Sequence, residues 1–254
     1  MSTASVVLWV SAHPEPRSLT GSLRRDGIAH LRGLGHEVLE SDLYAMHWDP
    51  VLAPVRDEGR FHVTADTRRD FLEGTQPPDV AREQEKLRRA DAVVLQFPLW
   101  WYGVPAIMKG WFDRVLVSGF AFGKDAGTGR RLRFEQGPFA GTRALVAVTL
   151  GDRPASIGPR GKSGELEQLL FGLLHGTLAY TGMHVLRPWA LPSADFAEHD
   201  GAAAASLRAR LDDLLTAPPI PYRPQFTGDY TDDWELAPHI RPGETGLDLH
   251  VERA

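Results

Sequence analysis

The chain of 254 residues contains no cysteine. That excludes a disulfide framework, a thiolate nucleophile and any thiolate metal site. Long hydrophobic runs are missing as well. The first apolar stretch, inside MSTASVVLWVSAHPEP, spans only about six residues and follows no basic segment, too little for a signal core or a membrane span. No lysine- or arginine-rich block occurs and the formal net charge is −5, so nucleic acid is not an expected partner. Neither GxSxG nor HExxH is present, which removes the hydrolase elbow and the zinc-protease helix; no His–carboxylate cluster points to a metal site. The dehydrogenase fingerprint GxGxxG is absent too.

What is present reads as an ordinary globular chain, 43% hydrophobic and 24% charged, expected in the cytoplasm without membrane insertion. Val6 to Val10 is a short β-rich run. Leu19, Leu23, Ile28 and Leu31 share a helical face over 18–34, with Ser18 placed as its N-cap. A glycine stop precedes a second strand over 35–43, and residues 79–90 carry charged helical spacing. The run DAVVLQFP, 91–98, is continuously apolar, as in a parallel strand covered on both faces. Pro105 opens a helix bearing Ile107, Met108, Trp111, Phe112, Val115 and Leu116. A fourth strand (142–151), a helix (165–180), a fifth strand (184–191) and a last helix (202–215) follow. This alternation predicts an α/β fold, a doubly wound five-stranded parallel sheet with helices on both faces, over residues 1–216. Residues 217–254, rich in proline and aromatics, are expected to form an extended C-terminal arm packed on the domain or on a dimer partner.

Such sheets bind ligands beyond the C-terminal ends of their strands, so three loops carry the expected site. In AHPEPRSLTGSL, Ser18, Thr20 and the helix N-terminus could hold a phosphate with His13 donating; alternatively Ser18 only caps the helix and His13 is a loop residue. In PLWWYG, Trp101 and Tyr102 could lie against a flat heteroaromatic ring, or Trp100 and Trp101 could be core or interface residues. Trp111 and Phe112 read as core or dimer contacts. In TLGDRPASIGPRGKSGE, Arg153, Arg160 and Lys162 are candidate anion contacts or solvated loop charges; the stretch GPRGKSG does not meet the phosphate-loop spacing.

Four stretches taken together, AHPEPRSLTGSL, ESDLYAMHWDPV, PPDVAREQEKLRRADAVVLQFPLWWYGVPAIMKGWFDRVL and GFAFG, resemble the flavodoxin-like NAD(P)H:quinone oxidoreductases of the DT-diaphorase type, in order from about residue 5 to about residue 191. The resemblance implies FAD, with FMN the lesser alternative, and a homodimer. It implies ping-pong hydride transfer from NAD(P)H through FAD to a quinone or similar electrophile. By position it places His13, Ser18, Leu19 and Thr20 at the diphosphate, Pro98, Leu99, Trp100, Trp101 and Tyr102 along the isoalloxazine, and Thr149, Leu150 and Gly151 at its other edge. Phe122 and Tyr180 would frame the substrate.

The chain departs from that pattern in its third loop. The family's tyrosine and histidine by the flavin pyrimidine edge fall near Ile157 and Ser163, and residues 150–164 contain neither residue type. A Gly-Gly pair becomes Gly151-Asp152, and a lid tyrosine is replaced near Lys124. Arg160 or Lys162 would then supply the positive charge, leaving Trp101, Tyr102, Arg160 and Lys162 as the candidates for a catalytic role. Two other readings are open: a regulatory flavoprotein subunit of a potassium efflux system, and a one-electron carrier of flavodoxin type.

Overall fold

A computed structural model describes residues 4–55, 59–196 and 201–252. Its centre is a parallel sheet. β1 (Val6–Ser11) pairs with β2 (Glu37–Asp42) on one side and with β3 (Ala92–Pro98) on the other. β4 (Arg143–Thr149) follows β3 in full register from Ala92↔Arg143 to Pro98↔Thr149. The last position is filled by two short segments, β5 (His184–Val185) and β6 (Trp189–Leu191), both paired with β4. The strand expected over 184–191 is therefore interrupted, and Pro188, which has no N–H to give a ladder, lies in the gap. The resulting order, β2-β1-β3-β4-β5/β6, reverses direction between β1 and β3.

Alternation along the central strands splits the core in two. Leu8, Val10, Val93, Leu95 and Phe97 face a cluster that includes Leu87, Trp111 and Val115. These come from α3 (Pro78–Arg89) and α4 (Ala106–Val115), which follow α2 (Val63–Glu73) in the chain. Val7, Trp9, Val94 and Leu145 face Leu23, Ile28 and Leu31 of α1 (Leu19–Gly33) and Leu207 and Leu211 of α5 (Ala202–Asp212). Gly27 lets α1 lie down on β1, since a Cβ there would come 2.5 Å from the Trp9 ring.

Trp111, expected as a core or dimer contact, is core. Its indole N–H donates to Glu83 (2.9 Å), a fully buried carboxylate that also accepts from Ser41 (2.6 Å) and pairs with Lys86 (2.6 Å). Phe112 is buried beside it, with ring centroids 5.6 Å apart.

The helix expected over 165–180 is broken. It runs as short helical turns from Leu166, passes through a π-helical turn (Leu174–Leu178) and ends at Gly182 in the left-handed conformation. The chain past α5 is tied down at several points. The half-buried Arg143 guanidinium donates to Leu214 O (2.6 Å) and to Ala217 O, and Ile220 N donates to Val185 O (2.8 Å). Further on, Arg223 N donates to His250 O and Glu252 N to Pro221 O, both at 2.8 Å, so residues 217–252 fold back on themselves as well as on the domain.

Candidate functional site

The three loops meet at the C-terminal edge of the sheet, at the reversal between β1 and β3. Buried Gln96 accepts from Trp9 Nε1 (3.0 Å) and donates to Thr20 O (2.9 Å), which clamps the start of α1 onto β3. The Thr20 and Thr149 hydroxyls, both buried, lie 3.0 Å apart and fasten the same helix end to β4. Ser18 Oγ accepts from Gly21 N (3.1 Å), and Ser18 O accepts from Ser22 N (2.9 Å).

These bonds revise the expectation for the first loop. The Thr20 hydroxyl is engaged inside the protein, whereas the half-buried Ser18 hydroxyl accepts from Gly21 N and keeps its own proton to donate. What the helix start offers a phosphate is therefore the Ser18 O–H together with backbone: the amides of Leu19 and Thr20, with no intrahelical partner at the positive end of the helix dipole. Gly21 permits the loop to fold tightly over this end, because a Cβ there would be 2.3 Å from Pro16 O. His13 Nδ1 is 3.0 Å from both the amide N and the carbonyl O of Glu15. Its ring centroid is 6.1 Å from that of Trp100, so the first and second loops adjoin.

The second loop is a tight reversal. Trp100 and Gly103 form an isolated bridge, and Gly103 N donates to Trp100 O at 3.0 Å. The two central residues, Trp101 (φ 52°) and Tyr102 (φ 54°), are both left-handed. Such positions favour glycine or asparagine, and two bulky aromatics there carry real strain, on the order of 1–2 kcal/mol each. Trp101 is fully exposed, at 100%, and so obtains no packing in return. Pro98 and Leu99, by contrast, are buried, and Leu99 N donates to Thr149 O (2.8 Å).

The third loop closes on the second. Tyr102 Oη lies 3.2 Å from each carboxylate oxygen of Asp152 and 3.0 Å from Ser163 Oγ. Ser163 and Ser156 donate to Asp152 Oδ1 at 2.7 and 3.1 Å. Hydrogen bonds from Ser163, then Ser156 and Tyr102, together with nearby Lys162, hold this carboxyl below the usual aspartate range. The loop is compact: Ser163 N donates to Ser156 O (3.0 Å), and Gly161 is needed because a Cβ would meet Ser156 O at 2.2 Å. Leu150 is buried and its N–H donates to Leu191 O (3.1 Å); Gly151 is exposed beside Asp195. Arg160 and Lys162 are exposed and form no ion pair within 4.0 Å among the described residues.

The two residues expected at the substrate, Phe122 and Tyr180, stand together with ring centroids 6.4 Å apart. Gly123–Lys124 and Arg131–Leu132 form a small antiparallel ribbon beside them. Asp152 as the hub joining loops two and three was not legible in the sequence. The serines that converge on it lie 4 and 11 residues away, a spacing that marks no motif.

The chain belongs to the flavodoxin-like fold family, whose model matches residues 5–215. Several relatives carry quinone-reductase names. A crystal structure of a Klebsiella pneumoniae protein, provisionally described as a quinone reductase, superposes with a TM-score of 0.91 at 42% identity, covering 98% of this chain and 100% of that one. A ribosyldihydronicotinamide dehydrogenase-like protein of Penicillium crustosum is 40% identical over 89% of this chain and 86% of its own. NAD(P)H dehydrogenase (quinone) 1 of Rattus norvegicus is 32% identical over 87% of this chain and 82% of its own. No helix among the described residues is long and apolar enough to cross a membrane.

Proposed function

We propose that the protein is a flavin-dependent NAD(P)H:quinone oxidoreductase that uses FAD, works by a ping-pong mechanism and acts as a homodimer. The observation that carries this reading is the turn at Trp101 and Tyr102: two strained, solvent-facing aromatics at the strand reversal, where ligands of such sheets bind. The residues present fit a flavin. The open amides of Leu19 and Thr20 suit its phosphates, Gly21 admits a close backbone wrap, and Pro98 to Tyr102 offer an edge of backbone and aromatic surface for a flat ring. When bound, the flavin supplies the capacity to take up and release a hydride.

This chain's own residues position and exclude. Thr20, Gln96 and Thr149 fix the helix end relative to the strand ends. The Tyr102–Asp152–Ser163 knot fixes the aromatic turn against the third loop. Arg160 and Lys162 provide positive charge on that loop, with Lys162 near the ionised Asp152. Phe122 and Tyr180 form an aromatic wall for a planar acceptor.

The test begins with the purified protein: heat-released cofactor is identified by chromatography, with FAD expected. Steady-state turnover follows with NADH, NADPH and dihydronicotinamide riboside against a quinone panel. Parallel double-reciprocal lines are expected. A protein that binds flavin yet oxidises none of the three reductants in the presence of quinone would falsify the reductase reading.

A further inference from the structure

We propose that the cleft along the 123–132 ribbon is an anion site, and that it takes an aromatic ligand bearing a sulfonate, carboxylate or phosphate. This rests on the substrate placement proposed above, because Tyr180 lines the cleft and Phe122 lies beside it.

The cleft, of about 420 Å³, is lined by Arg68, Lys124, Arg131, Arg133 and Tyr180, with no carboxylate in its lining. None of these four cations has a carboxylate within 4.0 Å among the described residues. Four unpaired positive charges converging on one cavity are out of keeping with a net charge of −5, and such a cleft focuses an attractive field for anions.

The arm packs its rings against two of these cations. The Arg133 guanidinium lies 4.1 Å from the Trp234 ring centroid and 5.4 Å from that of Phe226, and Arg131 is 5.8 Å from Trp234. Rings over its face hold a guanidinium flat and leave its edge N–H groups to donate, the geometry that recognises carboxylate, sulfonate or phosphate. Arg133 Nε is buried and has no hydrogen-bond partner. Trp234 keeps this position at a cost, since it is left-handed (φ 68°) and 64% exposed. A second cavity of about 270 Å³ beneath the arm shares Arg133 and Tyr180 but includes Asp232. The anion therefore belongs on the ribbon side and the apolar ring toward Tyr180, Phe226 and Trp234. Glu135, the nearest acid in sequence to Arg133, is turned away to accept from Gln225 N (2.6 Å) and Phe226 N (3.3 Å).

The anion could be carried by the acceptor or by the nicotinamide nucleotide, and binding to the oxidised protein with no reductant present separates them. The probes are 1,4-naphthoquinone, 1,4-naphthoquinone-2-sulfonate and NADP+, titrated by calorimetry into wild type and the R131Q/R133Q variant, with K124Q as a second variant should the first fail to fold. The expected result is a roughly tenfold loss of affinity for the sulfonate on substitution, with the neutral quinone unaffected. Loss confined to NADP+ assigns the site to the nucleotide phosphates instead. Unchanged affinity for both anions overturns the proposal. A variant that loses sulfonate binding in a protein that never oxidises NADPH keeps the site and removes the reductase reading; normal turnover with no anion preference does the reverse.

Discussion

Tyr102 Oη lies 3.2 Å from both carboxylate oxygens of Asp152, fifty residues further along the chain. This contact joins the aromatic turn after β3 to the loop after β4. It also explains how a strained turn keeps its shape: the phenol is anchored at its tip to a carboxylate that two serines already hold. Tyr102→Phe is expected to free the turn. Part of the site is exposed to solvent, so the loss of stability should be small, about 0.5–1 kcal/mol. The flavin affinity should fall more visibly, by several-fold. Chemical denaturation and flavin titration on one preparation measure both, and equal affinity in the two proteins would show that the contact does not shape the site.

Trp101→Asn should act in opposite directions on folding and on function. Asparagine tolerates the left-handed backbone, so relief of about 1 kcal/mol is expected, or a melting temperature roughly 2–4 °C higher for a domain of this size. Flavin binding should weaken, because an aromatic face is removed. A variant that is neither more stable nor weaker in flavin binding contradicts the strain argument.

Glu83→Ala should be among the most damaging single changes. It strips a buried carboxylate from Ser41, Lys86 and Trp111 together, leaving an ammonium and an indole N–H without their partner. The loss is expected to be about 3–5 kcal/mol, measured by urea unfolding. Flavin affinity of the fraction that stays folded should be unchanged, since no part of that cluster reaches the three loops.

Acid should loosen the arm. His175 is stacked on Phe171 (4.7 Å, 16°), meets Tyr222 and His250 edge-on or tilted, and its Nε2 is buried without a partner. Burial first, then nearby His250, lowers its pKa from 6.5 to about 4. Burial and Arg223 lower His250 in the same direction. Below pH 6.5 the unfolded chain binds a proton at His175 that the folded chain refuses until about pH 4. The stability that this neutral imidazole preserves is thus complete above pH 6.5 and is lost as pH falls toward 4. Melting temperatures of wild type and His175→Phe, recorded across this window, should diverge as pH falls, with the wild type dropping faster.

The sequence alone determined the order of the four continuous central strands and of the amphipathic helices that cover them, because burial on both faces demands continuous apolar strands and amphipathic helices demand their spacing; the helix over 165–180 and the strand over 184–191 broke only in the tertiary structure. It also marked the three loops, since in an open parallel sheet a ligand lies beyond the strand ends. The aromatic block after β3 split as tertiary packing required: Trp111 went inward, because Glu83 on the neighbouring helix offered its indole a buried acceptor, while Trp101 was pushed outward by a reversal too tight to bury it. Which hydroxyls remain free was decided only in three dimensions. Thr20 turned inward to the Thr149 hydroxyl, 129 residues away, while Ser18 accepts from the helix amide at Gly21 and keeps a proton to donate. Likewise no local pattern joins Arg133 to Trp234 across a hundred residues. Periodicity reports which face of an element is buried; it carries no record of which distant side chains meet there.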